Sequence, residues 1–394
     1  MKVNNVKAME QQASEVCREF QIFCDYVLRD TVKLAKKSGY ISKKDCFELD
    51  SRLRARENFE RPTRFQIKYP VINYFYFAAL KYRILEKNDR ETGLIKGENY
   101  EIFHAASSIE KYIFFVIVLL TENKFLEYEM ELKTQMWQMM SWVERARPAV
   151  GEIYQLPART VPGYEGSRPV LISYLEEFGI ITIIQAAAYK RWEEVLHWKI
   201  EIQPLYELFY DMYNQIHNKY EQIYDEGVLN FFFEAYLEEK FPGKRTGNIE
   251  KMFEEHKADY SELKVELEIR VRYGDCIRIV CMNLSDTLYD LHRTIQSVFE
   301  FDDDHLYEFY VGQGMLKETY APEGAANSGE EIPVEETALG DLGMKKGMKF
   351  SYLFDFGDMW WFDIKVLGIG EGSVTSPQLV KAVNPAPQQY PDWE

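Results

Sequence analysis

LKVELEIRVR, residues 263–272, places Leu263, Val265, Leu267, Ile269 and Val271 on one side of an extended chain and mostly charged residues on the other. Successive side chains of a strand point to opposite faces, so this period of two reads as a strand with one buried face and one face in water. Tyr273, Gly274 and Asp275 supply a turn, and residues 276–282 return as the partner strand. Ser285 is the expected cap of a helix in which Leu288, Leu291, His292, Ile295, Val298 and Phe299 share one face. Residues 307–311 form a third strand. A Gly/Pro/Glu-rich excursion over 312–336 and a short helical turn then lead to a fourth strand at 348–354 and a fifth at 361–367. A sheet with one apolar face must cover it, and a single amphipathic helix does so. Hairpin, crossing helix, strand, helical turn and strand is the β-grasp order. The expected fold class is therefore α+β, with a ubiquitin-like C-terminal domain over 262–394 that ends in an irregular tail.

Two stretches within this domain, DTLYDLHRTIQSVFEFDDDHLYEFYVG (286–312) and FSYLFDFGDMWWFDIKVL (350–367), resemble the plasmid pRiA4b ORF-3-like family. Its pattern is a helix carrying Leu-His, a His-Leu about a dozen residues on, and an aspartate-rich strand end of the form YDFGD.W. Here these are Leu291-His292, His305-Leu306 and the run from Asp355 to Trp360, and the likeness covers residues 262–370. It implies a bacterial setting and an association with mobile elements or DNA, with no established molecular function. Family members often carry helical N-terminal regions, to which KKSGYISKKDCFEL followed by YPVINYFYFAAL is similar. One departure stands out. Many relatives end in a glycine-rich stretch with a Pro-Pro-Glu-Asp motif, whereas this chain ends in NPAPQQYPDWE.

Imidazoles and carboxylates together are what a divalent metal or general acid–base chemistry needs. His292, His305, Asp355 and Asp358, joined by Asp302 and Trp360, are the candidate ligand or metal cluster. The structural alternative makes His292 a core histidine bonded to a backbone carbonyl, Asp355 and Asp358 the caps of a tight turn around Gly357, and Asp302 to Asp304 a solvated acidic loop. No catalytic residue is assigned, and no cofactor is indicated. The Asp355-Phe356-Gly357 tripeptide copies the magnesium motif of kinases, but no Gly-rich loop, strand lysine or HRD accompanies it. GIGEG at 368–372 lacks the helix that a glycine fingerprint needs after it.

Towards the N-terminus, residues 6–38 read as one long helix closed by Gly39. Ser42 caps a second helix over 43–53, and an apolar segment at 71–85 follows Pro70. A turn-rich stretch, 85–103, ends in a short extended run, and a helix over 108–120 follows. This order makes 1–145 a helical, winged-helix-like region. Residues 146–169 are a Pro/Gly-rich linker or ordered loop, and 170–258 a second helical region with a small wing. That region holds an extended stretch at 180–185, a helical piece around Arg191, alternation at 199–203 and a helix to Lys219.

The formal net charge is −17, which argues against a general nucleic-acid binder. Its distribution is uneven. Residues 29–90 hold 16 Lys/Arg against 8 Asp/Glu, a net of +8, while 261–394 hold 11 against 24, a net of −13. Arg52, Arg54, Arg56, Arg61, Arg64 and Lys68 are candidate phosphate or partner contacts, diluted by Glu57 and Glu60; an ordinary solvated face is the alternative. Nucleic acid through 29–90 and an unidentified protein are thus the partners considered, with no membrane. The apolar run at 112–120 is about half of a bilayer span and reads as a buried helix. The aromatic clusters at 74–77 and 231–233 are nearly charge-free and read as core. Five cysteines without CxxC or finger spacing, and a start with no apolar leader, point to a soluble, reduced, cytoplasmic protein. The function expected is a non-enzymatic interaction or adaptor protein. A small enzyme or metal-binding protein built on the His/Asp set is the alternative.

Overall fold

The computed structural model describes residues 3–36, 38–57, 59–88, 90, 92–121, 129–157, 169–185, 197–219, 231–252, 260–312, 317–323 and 331–390. The chain divides into two compact units, 1–254 and 255–394. The first is mainly helical, with two small sheets.

Its first helix, α1 (Val3–Val27), buries Met9, Ala13, Val16, Phe20, Phe23 and Val27 at helical spacing. It stops 11 residues short of the expected Ser38. Val32 and Leu34 are both buried, which a period of two satisfies and a helix does not. Leu34 bridges Ile41, and Gly39, at φ +69°, closes the turn between them rather than capping α1. Helices α2 (Lys43–Asp50) and α3 (Pro70–Lys81) follow, and Ser42 caps α2 by accepting from the Asp45 N–H. Strands β1 (Leu85–Lys87) and β2 (Leu94–Lys96) pair as a hairpin. The extended run expected at 103 is instead helix α4 (Tyr100–Ala105).

Helices α5 (Ser108–Thr121), α6 (Glu129–Ala146), α7 (Val170–Glu177) and α8 (Leu205–Lys219) follow. No helix among the described residues is long and apolar enough to cross a membrane. Phe20 meets Phe75, Phe103 and Phe115 at ring-centroid distances of 5.3, 5.3 and 5.0 Å, so the 74–77 cluster lies in the core. Within the stretch read as a linker, β3 (Ile153–Pro157) is a strand. It pairs with β5 (His197–Ile202), which also pairs with β4 (Ile181–Gln185). The helical piece expected around Arg191 lies outside the described residues.

Among its described residues, the second unit is an eight-stranded sheet and one long helix. Its strands are β6 (Leu263–Val271), β7 (Ile277–Asn283), β8 (Tyr307–Val311), β9 (Glu318–Ala321), β10 (Ile332–Pro333), β11 (Lys349–Phe354), β12 (Trp360–Glu371) and β13 (Gln378–Val383). The order is β10-β9-β8-β11-β12-β6-β7-β13. Every neighbouring pair is antiparallel except β9–β10. Strand β13 lies in the stretch expected to be an irregular tail. Its residues are exposed on both faces, so no alternation betrays it, and backbone pairing with β7 holds it.

The helix, α9 (Leu288–Phe299), is capped by Thr287 rather than Ser285. The Thr287 hydroxyl accepts from the Asp290 N–H, while the Asp290 carboxylate accepts from the Thr287 N–H. Leu288, Leu291, Ile295 and Phe299 are fully buried against Val265, Leu267, Ile269, Val280 and Phe362. Burial of each such side chain is worth about 1.5–3 kcal/mol. At the far end Arg278, on the inner face of β7, donates to the carbonyls of Val298, Val383 and Asn384 at 2.8, 3.3 and 3.0 Å. One guanidinium thus ties the negative end of the helix to the edge strand.

Candidate functional site

His292 and Gln296 sit one turn apart on the buried face of α9. Facing them from β11 is Tyr352, whose inward direction follows from the alternation of Phe350, Tyr352 and Phe354. His292 Nδ1 lies 2.7 Å from the Tyr352 hydroxyl and Nε2 lies 2.9 Å from Asp303 Oδ1. Gln296 Nε2 donates to the same hydroxyl at 2.8 Å. The Tyr307 ring stacks on the imidazole with centroids 3.6 Å apart and planes 4° off parallel.

A carboxylate only accepts, so the proton of neutral His292 belongs on Nε2, facing Asp303. Nδ1 then accepts from the Tyr352 O–H, and the Tyr352 oxygen accepts from Gln296. Burial drives the His292 pKa down from 6.5 to about 4, against the opposing pull of Asp303. Burial likewise holds the Tyr352 phenol far above its ordinary value. The Asp–His–hydroxyl order copies that of a nucleophile-activating triad. Tyr352, however, is fully buried, so a substrate has no way to meet its oxygen. The structural alternative for His292 expected a backbone carbonyl; the partners are a tyrosine and an aspartate.

The other candidates form a separate group. His305 is partly exposed, and its Nε2 lies 3.4 Å from Asp355 Oδ2 and 3.8 Å from Asp304 Oδ1. Asp355 is buried at φ +55°, and its Oδ1 accepts from the N–H groups of Gly357 and Asp358 at 2.8 and 3.3 Å. This is the side-chain-closed turn expected of aspartate, and it joins β11 to β12. Asp358 contributes its backbone. Trp360 packs edge-on to Phe301 at 4.9 Å. Asp302 is exposed, and its backbone N–H and C=O bond Gln389 at 2.6 and 3.1 Å. Tyr390 donates to Asp304 at 2.8 Å. The divergent tail thus latches the acidic loop. His292 and His305 each lie against Phe354, at 6.3 and 6.1 Å, but share no carboxylate. Among the described residues no group of three or more His, Cys, Asp or Glu is arranged to hold a metal ion.

In the basic segment, Arg52 pairs with Glu48 at 2.8 Å and Arg56 Nε donates to the Leu53 carbonyl. Arg54 is half-buried beside Glu177, whose carboxyl desolvation and the nearby Glu19 push up to about 8. Arg61 and Arg64 are exposed, Arg64 over the Phe59 ring, and Lys68 is half-buried. All five cysteines are free thiols. Burial raises Cys17 to about 12, which suits packing rather than reaction.

Sequence reasoning missed Tyr352, Gln296, Asp303 and Tyr307. A signal existed: Gln296 lies four residues beyond His292 on the same helix face, and Tyr352 is the one hydroxyl in the inward series 350, 352, 354.

Residues 260–389 match the model of the family described as plasmid pRiA4b ORF-3-like protein. Among solved structures, the chain is similar to the protein of unknown function MM3350 from Methanosarcina mazei Go1. The identity is 23%, over 32% of this chain and 73% of that one, with a TM-score of 0.29. No curated protein matches the chain.

Proposed function

We propose that this is a non-catalytic interaction protein. Its C-terminal domain, a β-grasp-like variant with an antiparallel set of long strands gripping α9, acts as a rigid binding module. The helical unit, winged-helix-like in the order of its elements, adds a basic second surface over residues 29–90 for a protein partner or duplex DNA. One observation carries this reading. The histidine of the family-like Leu-His motif is fully buried, with both ring nitrogens bonded and its face covered by Tyr307. Motif residues closed off in this way build a scaffold. The His305–Asp355 pair at 3.4 Å is the remaining feature that favours metal binding or catalysis.

Calorimetric titration with Zn²⁺ and Mn²⁺ separates the two. The adaptor reading expects no stoichiometric heat; saturable binding abolished by His305→Ala and by Asp355→Asn would replace it with the metal reading. The DNA contact is tested by fluorescence anisotropy of a labelled duplex at low salt. Affinity should fall with added salt and with Arg61→Glu/Arg64→Glu. Absence of binding at low salt removes that partner and leaves the protein partner.

A further inference from the structure

The face of the C-terminal sheet turned away from α9 carries a charge pattern opposite to that of its surroundings. A groove of about 680 Å³ runs across β6, β12, β11 and β8, and Arg270, Arg272, Lys317, Lys349 and Lys365 line it. Among the described residues two carboxylates, Glu268 and Asp363, line it as well. The unit that holds this net +3 has a net of −13 over residues 261–394.

Both acids are already engaged. Asp363 accepts from Arg272 Nε at 3.0 Å, and Arg272 also donates to the Ser351 hydroxyl at 2.9 Å and lies 4.5 Å over the Trp361 ring. Glu268 lies 3.9 Å from Arg270 and stands opposite Lys365 in the sheet register. Among the described residues no carboxylate comes within 4.0 Å of Lys317, Lys349 or Lys365. Lys349 and Lys365 are moreover direct cross-strand partners. Like charges placed directly opposite each other destabilise a sheet. Glu268 flanks Lys365 on its other side, so the pair is offset from β6 alone, and Lys349 faces Lys365 with no carboxylate opposite it in β12; such local conflicts are the kind that proteins keep at functional sites. Two rings wall the groove: Tyr310 and Trp361 stack at 5.4 Å, with Lys317 over the Tyr310 ring at 3.9 Å.

We propose that this groove is a binding site for a small, multiply charged phosphate-bearing molecule, seated between Lys349 and Lys365 and reached by Lys317 and Arg270. Lysine ammoniums act as point charges toward phosphate oxygens, and an anion between the cross-strand pair turns repulsion into attraction. The volume lies in the range of small-ligand sites. The occupant is small rather than polymeric, because a long polyanion would meet the negative field of the rest of the unit while a compact one meets only the groove. The site shares no residue with the His292 network or the basic N-terminal segment, so it stands apart from the adaptor reading.

The test is calorimetric titration of the full chain with inorganic pyrophosphate and with ADP, beside a short oligothymidylate and a polyglutamate peptide. One-site binding of pyrophosphate or ADP is expected. It should weaken about 10- to 100-fold in the double variant Lys349→Gln/Lys365→Gln, which loses two charge-assisted contacts. It should remain in Lys381→Gln, which alters an exposed lysine of β13. Tighter binding of ADP than of pyrophosphate would place the organic part against Tyr310 and Trp361; equal binding would make phosphate the whole determinant. Binding confined to oligothymidylate or to polyglutamate, or no binding, overturns the proposal. Thermal melting without ligand gives a second readout. Lys349→Gln should raise the melting temperature by relieving the pair, and an unchanged or lower value would contradict the conflict on which the site rests.

Discussion

The two faces of the C-terminal sheet use polar side chains in opposite ways. On the inner face, Gln296 donates to Tyr352 and Tyr352 to His292, and Arg278 meets several backbone carbonyls. On the outer face, three lysines share a groove in which, among the described residues, no carboxylate lies within 4.0 Å of them. Desolvation would penalise His292, Tyr352 and Arg278 if they stood unpaired, and each of them is bonded. Water tolerates the outer ones unpaired, so their mutual repulsion persists until an anion arrives. Residue type alone therefore points the wrong way in this domain. His292 and Asp355 look like chemistry and lie buried, while lysines that look like ordinary surface carry the groove's excess charge.

The contrast breaks most visibly in the core. Leu291→Ala should cost about 2–5 kcal/mol in denaturant unfolding of the C-terminal unit, whereas the outer-face change Lys365→Ala should stay within about 0.5 kcal/mol. Equal effects would erase the distinction between the faces. Tyr352→Phe comes next. It removes the donor to His292 Nδ1 and the acceptor of Gln296, and should cost about 1–3 kcal/mol for each polar atom left unpaired.

Acidity sharpens the comparison and extends it to the helical unit. The folded His292 value lies below 6.5, so the unfolded chain binds the extra proton. Its contribution is complete above about 6.5 and is lost as the pH falls toward 4, by at most about 1.4 kcal/mol per pH unit. The buried Glu177 works in the other direction. Its folded value lies above 4.5, so its contribution is complete below 4.5 and is lost as the pH rises through about 8. Hydrogen exchange read by mass spectrometry should show the C-terminal unit loosening in acid and the helical unit loosening toward mild alkali. His292→Gln should flatten the first trend and Glu177→Gln the second. The smallest effect is the gain of about 0.2–1 kcal/mol expected when Lys349→Gln relieves the cross-strand pair, measured by thermal melting.

The sequence made the inner face legible because burial leaves a periodic trace. Residues 263–272 alternate without a break, and Leu288, Leu291, Ile295 and Phe299 mark the stripe that covers them. It left β13 unread because an edge strand exposed on both faces has no such trace, and the end of α1 because Leu34, seven residues after Val27, also falls on the helical stripe. The candidate set was legible residue by residue but not as a site. His292 and His305 lie 13 positions apart and both near Phe354, yet one points into the sheet and the other toward solvent. His292 meets Asp303 of the loop after its own helix, whereas the register of β11 against its neighbours sets His305 beside Asp355. The Lys349–Lys365 pair depends on that same register, so it lay beyond any reading of sequence.

His292 is a closed core residue, and ¹⁵N NMR of its imidazole tests this most directly. Across pH 5 to 7.5, with or without Zn²⁺, the ring should remain neutral with its proton on Nε2. An imidazolium at pH 6, or a nitrogen shift on adding Zn²⁺, would contradict the account.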